Sequence, residues 1–362
     1  MKFSDVPKLR LIGQHIAKRQ FRTVKEIVGW MGGMQAQDFE MAEWAVGVRL
    51  PGSTAKLIES AIDKAEIIRT HLMRPTWHFV SSDDIYWMLE LTAPQIKSSL
   101  KSRAKVLELN EKNLGRYNKI IEDALSAGKN LTREELVGEL KKNKIKTENN
   151  RASHIFLNAE LDGIMCSGEI KNNKQTYALL RERVPVLKTL KRDEAAGKLA
   201  LRYFLSRGPA TLKDFVWWSG LPVRDARNGL ESVKQDLTAL EFNSDTYWMS
   251  GSIAESVRGG NKVYILPAFD EFIISYKDRS AMIDLNNHGK SVSSNGIFRP
   301  VILIEGKVSG IWKRIKKNGA VSIETELFNG GKKIRESSIN KLFGIYGKFL
   351  GRKLTVENKS CA

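Results

Sequence analysis

The chain has 362 residues, with 59 Lys+Arg against 41 Asp+Glu, a formal net charge of +18 and a sequence pI near 9.7. That length supports a substantial core divided among two to four domains, and the basic excess favours a polyanionic partner, nucleic acid before an anionic membrane surface. No apolar run approaches the ~18 residues of a membrane span, and the N-terminus MKFSDVPKLR lacks the apolar core of a signal peptide.

Cys166 and Cys361 suffice for neither a disulfide framework nor a zinc site. The histidines (15, 71, 78, 154 and 288) lack metal-ligand spacing, and neither a Walker-type loop nor G-x-G-x-x-G occurs. The expectation is a cytoplasmic, nucleoid-associated protein without metal or nucleotide cofactor.

An amphipathic stretch from Leu9 to Ile16 leads to a capping box at Thr23 and Glu26. Gly32-Gly33 reads as the stop of that helix and Asp38 as the N-cap of the next. Between them stands Gln35-Ala36-Gln37, inside the weakly polar run GWMGGMQAQDFEMAEWAVGV. In an extended link over Met34 to Gln37 both amides share one side and Ala36 turns away, because alternate residues of a strand share a face. Amides do not titrate, so the pair suits orientation of a bound group such as water. Ordinary helix-surface glutamines are the other reading of the spacing. The helix from Asp38 to Val48 is rich in Met, Trp, Ala and Val and is expected to be buried.

A hairpin follows, with strands over Ile67 to Leu72 and Thr76 to Val80 and a turn near Arg74-Pro75. Alternation puts Thr76 and His78 on one face, lining a polar pocket, and Trp77 and Phe79 on the other, in the core. Arg74 at the turn is placed for a phosphate. A satisfied strand histidine is the competing account of His78.

The pattern then rhymes. Thr132 with Glu135, and more loosely Thr211 with Asp214, repeat the capping box after amphipathic stretches at Ile120 to Leu125 and Leu199 to Leu205. Gly128 and Gly208 are the matching C-cap candidates. Helices from Arg151 to Leu161 and Arg224 to Val233 precede hairpins over Gly163 to Leu180, turning at KNNK, and Leu237 to Met249, turning at NSD. Helix, helix, helix, hairpin is the order of a winged helix-turn-helix module. Three such modules are expected at residues 1–95, 115–183 and 190–250. Arg224, Arg227 and Asn228 would form a base-reading set on the third helix of the last module.

Past residue 260 the period turns to alternation. Val263 to Leu266, Arg299 to Trp312 with a reversal near Gly306-Lys307, and Ala320 to Phe328 read as strands. Ser337 to Leu350 returns to helical spacing, giving a small β-barrel or curled sheet with a closing helix over 260–362. From Lys332 to Lys359 eight basic residues face two acids, a solvated face or a phosphate contact. Asp270, in an apolar stretch, needs a partner if buried, and Arg279 is the candidate. Alternatively Lys277 and Arg279 grip a nucleic-acid backbone. His288, in NNHGK, is expected in an exposed loop.

QAQD near residue 35, RTHLMRPTWHFV, LPAFDEFIISYKDRS and NGIFRPVILIEGKVSGIW together resemble the ordered motifs of the AlkZ/YcaQ-like winged-helix DNA glycosylases, from about residue 10 to 315. The resemblance implies an α+β fold of tandem winged helices and a small β-barrel in a C-shaped clamp. It implies catalysis by a Gln-apolar-Gln motif, hence Gln35 and Gln37, and N7-alkylated purines or interstrand crosslinks as substrates. The TWHFV block matches as well, without an assigned role.

The chemistry suits amides. An N7-alkylguanine is already cationic and departs neutral, so no general acid is required. The transition state is oxocarbenium-like. What remains is to place a water and orient dipoles toward the sugar. Base release without full nucleotide flipping would also be permitted. The expected function is a monofunctional DNA repair glycosylase, monomeric and acting on alkylated or crosslinked duplex DNA, with no obligate protein partner. Arg74, Thr76, His78, Lys277, Arg279, Arg299 and Lys307 are assigned to the DNA. The rival is a non-catalytic winged-helix transcription regulator. A nuclease is disfavoured, since no acidic metal cluster such as D-x-D stands out.

Overall fold

The computed structural model describes residues 1–186, 189–256, 262–317, 320–328 and 336–359. Cys361 and the basic residues from Lys332 to Arg335 lie outside them. Helix α1 (Val6–Gly13) is followed by α2 (Val24–Met31), which starts on the expected capping box. Thr23 Oγ1 accepts the N–H of Glu26, and Glu26 Oε2 accepts the N–H of Thr23. The helix stops at Gly32, whose φ of 68° is a left-handed value natural to glycine. Strand β1 (Met34–Gln35) comes next, then α3 (Phe39–Arg49), whose first turn is capped by Asp38 accepting from the Met41 N–H at 3.2 Å. As its composition predicts, α3 is buried continuously from Met41 to Arg49.

Helix α4 (Ala55–Asp63), absent from the sequence reading, precedes β2 (Ile67–Leu72) and β3 (Arg74–Ser81). The reversal falls on Met73, at φ 60°, and not at Arg74-Pro75. Arg74 already lies in β3, opposite Leu72. Pro75 is tolerated there because β1 pairs only with His78 and Phe79, so no neighbour needs its missing N–H. The sheet order is β1-β3-β2, which makes the glutamine-bearing strand a third member of the hairpin.

Helices α5 (Ile85–Ser99) and α6 (Lys101–Val106) lead to α7 (Glu111–Leu125), strand β4 (Leu131–Thr132), α8 (Arg133–Lys142) and α9 (Arg151–Leu161). Strands β5 (Met165–Ser167) and β6 (Thr176–Leu179) form a hairpin turning at Asn172-Asn173, both with positive φ. After α10 (Leu180–Arg183), the order recurs in α11 (Arg192–Arg207), α12 (Leu212–Ser219), α13 (Val223–Glu231) and the hairpin β7 (Thr238–Phe242) and β8 (Asp245–Met249). Both further capping boxes form, at Thr132–Glu135 and Thr211–Asp214. Gly208 caps α11 in extended backbone (φ −60°, ψ 152°), not in the left-handed form expected of it. Space is the reason for glycine there, since a Cβ would come within 2.5 Å of the Phe204 carbonyl and 2.6 Å of Met249.

The last region is a five-stranded curled half-barrel, in the order β13-β12-β11-β10-β9. Its strands are β9 (Val263–Leu266), β10 (Val301–Ile304), β11 (Lys307–Lys317), β12 (Ala320–Leu327) and β13 (Leu354–Lys359). A register shift at Ile302/Leu303 helps bend it. The β10–β11 reversal uses Glu305 and Gly306, both with positive φ, beside the residue pair predicted. Among the described residues β13 and β9 remain unpaired edges, so the sheet is open. β13, within what the sequence presents as a basic tail, adds parallel to β12. Short helices α14 (Glu271–Ile274) and α15 (Leu285–Ser291) lie between β9 and β10, so NNHGK is helical, although His288 is exposed as expected. Helix α16 (Glu336–Leu350) packs Phe343, Tyr346 and Phe349 against Trp312 of β11 and Trp44 of α3.

One apolar cluster runs through the first hairpin sheet, α11–α13 and the half-barrel, while α7–α9 with β5 and β6 enclose a separate one. Phe79, wholly buried behind β1, contributes on the order of 2 kcal/mol to the larger core. Among the described residues no helix is long and apolar enough to cross a membrane.

Candidate active site

The Gln-Ala-Gln segment is not helical: β1 carries it as far as Gln35 and a bend follows at Gln37, in line with the extended link expected between Gly32-Gly33 and Asp38. Ala36 is fully buried, Gln35 half-buried and Gln37 exposed. Pairing with β3 sets Gln35 opposite His78 and Met34 opposite Phe79, and the Ala36 N–H donates to the Trp77 carbonyl at 2.6 Å. Both amide oxygens address β3. Gln35 Oε1 accepts from Arg74 Nη2 at 3.0 Å, and Gln37 Oε1 accepts from the Trp77 N–H at 3.4 Å. Arg74 thus lies within β3 and not at the turn, with its guanidinium on the first amide. Its half-buried position lowers its pKa through desolvation, an effect that Glu271 opposes.

The anchor of this segment is Glu271, at the start of α14. Glu271 Oε1 accepts the Gln35 N–H at 2.8 Å. Oε2 accepts Arg207 Nη2 at 2.7 Å, Ser275 Oγ at 2.7 Å and Trp218 Nε1 at 2.9 Å. Burial works to raise the carboxyl's pKa, but Arg207 and these hydrogen bonds outweigh it and hold Glu271 down at about 2. Arg207, itself fully buried, also donates to the carbonyls of Met31 at 2.7 Å and Gly33 at 2.8 Å, fastening the approach to Gln35.

Asp270 is buried, and its partner is Arg49 of α3, not Arg279. Arg49 donates to both carboxylate oxygens at 2.8 Å and to Gln14 Oε1 at 2.7 Å. Arg279 stops short because its Nε donates to the Ile273 carbonyl at 3.0 Å while its guanidinium covers Phe298 at 4.9 Å and Trp217 at 5.5 Å. Burial lowers its pKa to about 10. Lys277 has an exposed side chain, and its N–H donates to Asp214 Oδ1, the N-terminal box of α12, at 2.8 Å.

On β3, His78 is buried and desolvation, reinforced by Arg74, pushes its pKa down to about 3, so the ring is neutral. Thr76 is half-buried on the same face. Trp77, expected in the core, is only half-buried: its ring lies between His71, 4.4 Å away, and the Arg69 guanidinium, also at 4.4 Å. Buried Glu160 pairs with His71, and Arg69 Nε donates to the Ala36 carbonyl at 3.0 Å.

A groove of about 570 Å³ opens beside Asp38 at the exposed end of the amide pair, lined in part by Met41, Arg299, Trp312, Lys313 and Arg314. Arg299 thus shares this groove with Asp38, the residue after Gln37. Lys307 does not. It sits at the β10–β11 reversal, 3.8 Å from Asp284, where Gly306 abuts Pro7. Arg314 and Lys316 both reach Glu40, tying α3 to β11. No group of three or more potential metal-ligating side chains occurs among the described residues.

The sequence reading missed Glu271, Arg207, Arg49 and Gln14. Only Glu271 carried a signal: two adjacent acids in the apolar stretch LPAFDEFII demand two buried partners, and one was sought.

Comparison with known proteins is consistent with this architecture. The model of the family described as "DNA glycosylase AlkZ-like" matches residues 28–340. A protein of Streptomyces sahachiroi named "Interstrand DNA cross-link repair glycosylase" is 23% identical over 335 residues, spanning 86% of this chain and 88% of that protein. The solved structure of Streptomyces sahachiroi DNA glycosylase AlkZ superposes with a TM-score of 0.83 at 19% identity, covering 99% of this chain and 100% of that one. The match over most of the length establishes the relationship: this chain belongs to the AlkZ-like DNA glycosylase family.

Proposed function

We propose that this DNA glycosylase hydrolyses the N-glycosidic bond of N7-alkylated purines in duplex DNA, with Gln35 and Gln37 directing the attacking water. The observation that carries the reading is the oriented amide pair, whose next residue, Asp38, lines a groove of mixed charge with Arg299, Lys313, Arg314, Glu324 and Glu326. Glu271 is tied up by Arg207, Ser275, Trp218 and the Gln35 N–H, Asp38 beside Gln37 caps α3 by accepting the Met41 N–H, and His78 is neutral. Such a site supplies fixed dipoles and no general acid. It suits a leaving group that is already cationic. The name of the Streptomyces relative brings interstrand crosslinks within the proposed substrate range.

In this reading residues 1–95, 115–183 and 190–250 are winged-helix modules and 260–362 the half-barrel domain, acting together as a monomeric clamp on DNA. Arg224, Arg227 and Asn228 are exposed on α13, as a phosphate- or base-contacting face requires. Buried α3 is unavailable for reading bases, which disfavours a repressor built on the first module.

The test is base release from DNA carrying N7-methylguanine. Gln35→Ala and Gln37→Ala should each lower single-turnover release by ~10²-fold or more while leaving duplex affinity nearly intact. A fully active double variant would end the proposal.

A further inference from the structure

The three-stranded sheet lays one row of side chains across its strands. Gln35 on β1 is opposite His78 on β3, and His78 is opposite Thr70 on β2. Directly opposed residues share a face, and Thr76, two residues from His78, continues it. Gln35 stands half-buried in this row, while His78 and Thr70 are 0% and 1% exposed.

The ring's tautomer follows from one contact. His78 Nδ1 lies 2.9 Å from the Thr76 carbonyl oxygen. A carbonyl only accepts, so Nδ1 carries the proton and Nε2 of the neutral ring presents a lone pair. The charged and titratable groups around it are Arg74, Glu271 and His71; burial and Arg74 keep the ring neutral. Among the described residues, Nε2 meets no partner, and neither do the hydroxyls of Thr70 and Thr76 or Nε of Arg74. Buried polar atoms are ordinarily paired. Here one obligate acceptor, one obligate donor and two hydroxyls of either sense stand unpaired on β3 and β2 across from Gln35, a set complementary to a small ligand that both donates and accepts.

We propose that His78 is a catalytic residue: its Nε2, aided by Thr76 and Arg74, holds the attacking water beside Gln35 and takes that water's proton. The step rests on the reading of Gln35 and Gln37 as the water-directing pair. The electron pair of the C1′–N bond leaves with the cationic base and neutralises it. A lone pair of the water oxygen forms the C1′–O bond. The proton of that oxygen passes to His78 Nε2, and the imidazolium returns it to solvent. Water adding to a sugar cation becomes a strong acid, so even a weakly basic imidazole suffices, which an amide oxygen does not.

His78→Asn keeps an amide nitrogen where Nδ1 was and deletes Nε2; His78→Gln sets an amide near the Nε2 position. Single-turnover release of N7-methylguanine by the full chain should fall ~10²-fold or more in His78→Asn. Duplex affinity and melting temperature should be unchanged, and His78→Gln, which can hold the water but not take its proton, should recover only the positioning share of the rate. A merely structural histidine would lower melting temperature and affinity along with the rate. A His78→Asn rate within about twofold of the parent overturns the assignment. If that variant does not fold, Thr76→Val is read the same way, a fall of about tenfold supporting it and a change within twofold refuting it. Activity in the Gln35→Ala/Gln37→Ala double variant would remove the underlying reading, whereas an inactive double variant beside an active His78→Asn would remove this inference alone.

Discussion

Glu271 accepts the main-chain N–H of Gln35 at 2.8 Å across 236 residues of sequence. The same carboxylate pairs with Arg207, which holds the Met31 and Gly33 carbonyls just ahead of the glutamine. One buried ion pair therefore fixes the backbone on which the amide pair is displayed. Charges so placed are costly to unpair, and rigidity of the displayed backbone is what positioning catalysis requires.

Acid stability should report on this pair. The folded pKa of Glu271, about 2, lies below its ordinary 4.5, so its stabilisation is complete above roughly pH 4.5 and is lost as pH falls toward 2. At 1.36 kcal/mol per unit the stake is on the order of 3 kcal/mol. Glu271→Gln should lose ~3–5 kcal/mol at neutral pH, because Arg207 is left unpaired, and should show a shallower decline in acid. Urea unfolding of parent and variant from pH 7 downward measures both. Equal acid slopes in the two proteins would count against the assignment.

Arg74 sets which way the Gln35 amide faces. Its Nη2 donates to Oε1 at 3.0 Å, and without it the oxygen and nitrogen of the amide lose their distinction. Arg74→Met should therefore slow base release by ~10- to 100-fold while changing affinity for undamaged duplex far less. Arg74→Lys, which keeps the charge but not the planar fork, should fall between. Loss of affinity without loss of single-turnover rate would instead make Arg74 a phosphate contact.

The difference in reach between these contacts explains what was legible beforehand. The boxes at Thr23–Glu26, Thr132–Glu135 and Thr211–Asp214 join residues three apart, so spacing suffices to find them. The link that carries Gln35 and Gln37 is legible from its flanks, Gly32 and Asp38, because the spacing of the two glutamines alone fits a helix surface as well. Glu271–Gln35 and Arg49–Asp270 span more than 200 residues and leave no local periodicity. Asp270 announced only that it needed a cation, and Arg279, nearer in sequence, is spent on the Ile273 carbonyl. β13 was hidden because it has only two apolar members, Leu354 and Val356, at the end of a tail whose eight basic residues drew the reading to charge. Its place beside β12 comes from sheet completion more than from alternation.

Glu43 offers a titration of opposite sign. It lies buried on α3, and desolvation, with Glu59 and Glu40 adding, raises its pKa to about 9. A raised carboxyl pKa leaves stability intact below the ordinary value of 4.5 and erodes it as pH climbs toward 9. Glu43→Gln removes the titration, so the variant should gain on the parent steadily between about pH 5 and pH 8, by on the order of 1–3 kcal/mol at the upper end. Thermal melts across that range provide the check. A constant offset would mean that Glu43 is ionised in the folded protein.

The exposed face of α13 tests where the duplex lies. Arg224 and Arg227 are solvent-exposed, and the 3.6 Å contact of Arg224 with Asp225 is worth little at 88% side-chain exposure. If these arginines meet phosphates, Arg224→Ala and Arg227→Ala should each reduce the salt dependence of duplex binding by about one unit of slope. Affinity should weaken uniformly across sequences, and the rate of base release from the bound complex should not change. Asn228→Ala, by contrast, should alter sequence preference if this helix reads bases. Unchanged slopes in both arginine variants would put α13 off the DNA and turn the search to the groove of Arg299, Lys313 and Arg314 next to Asp38.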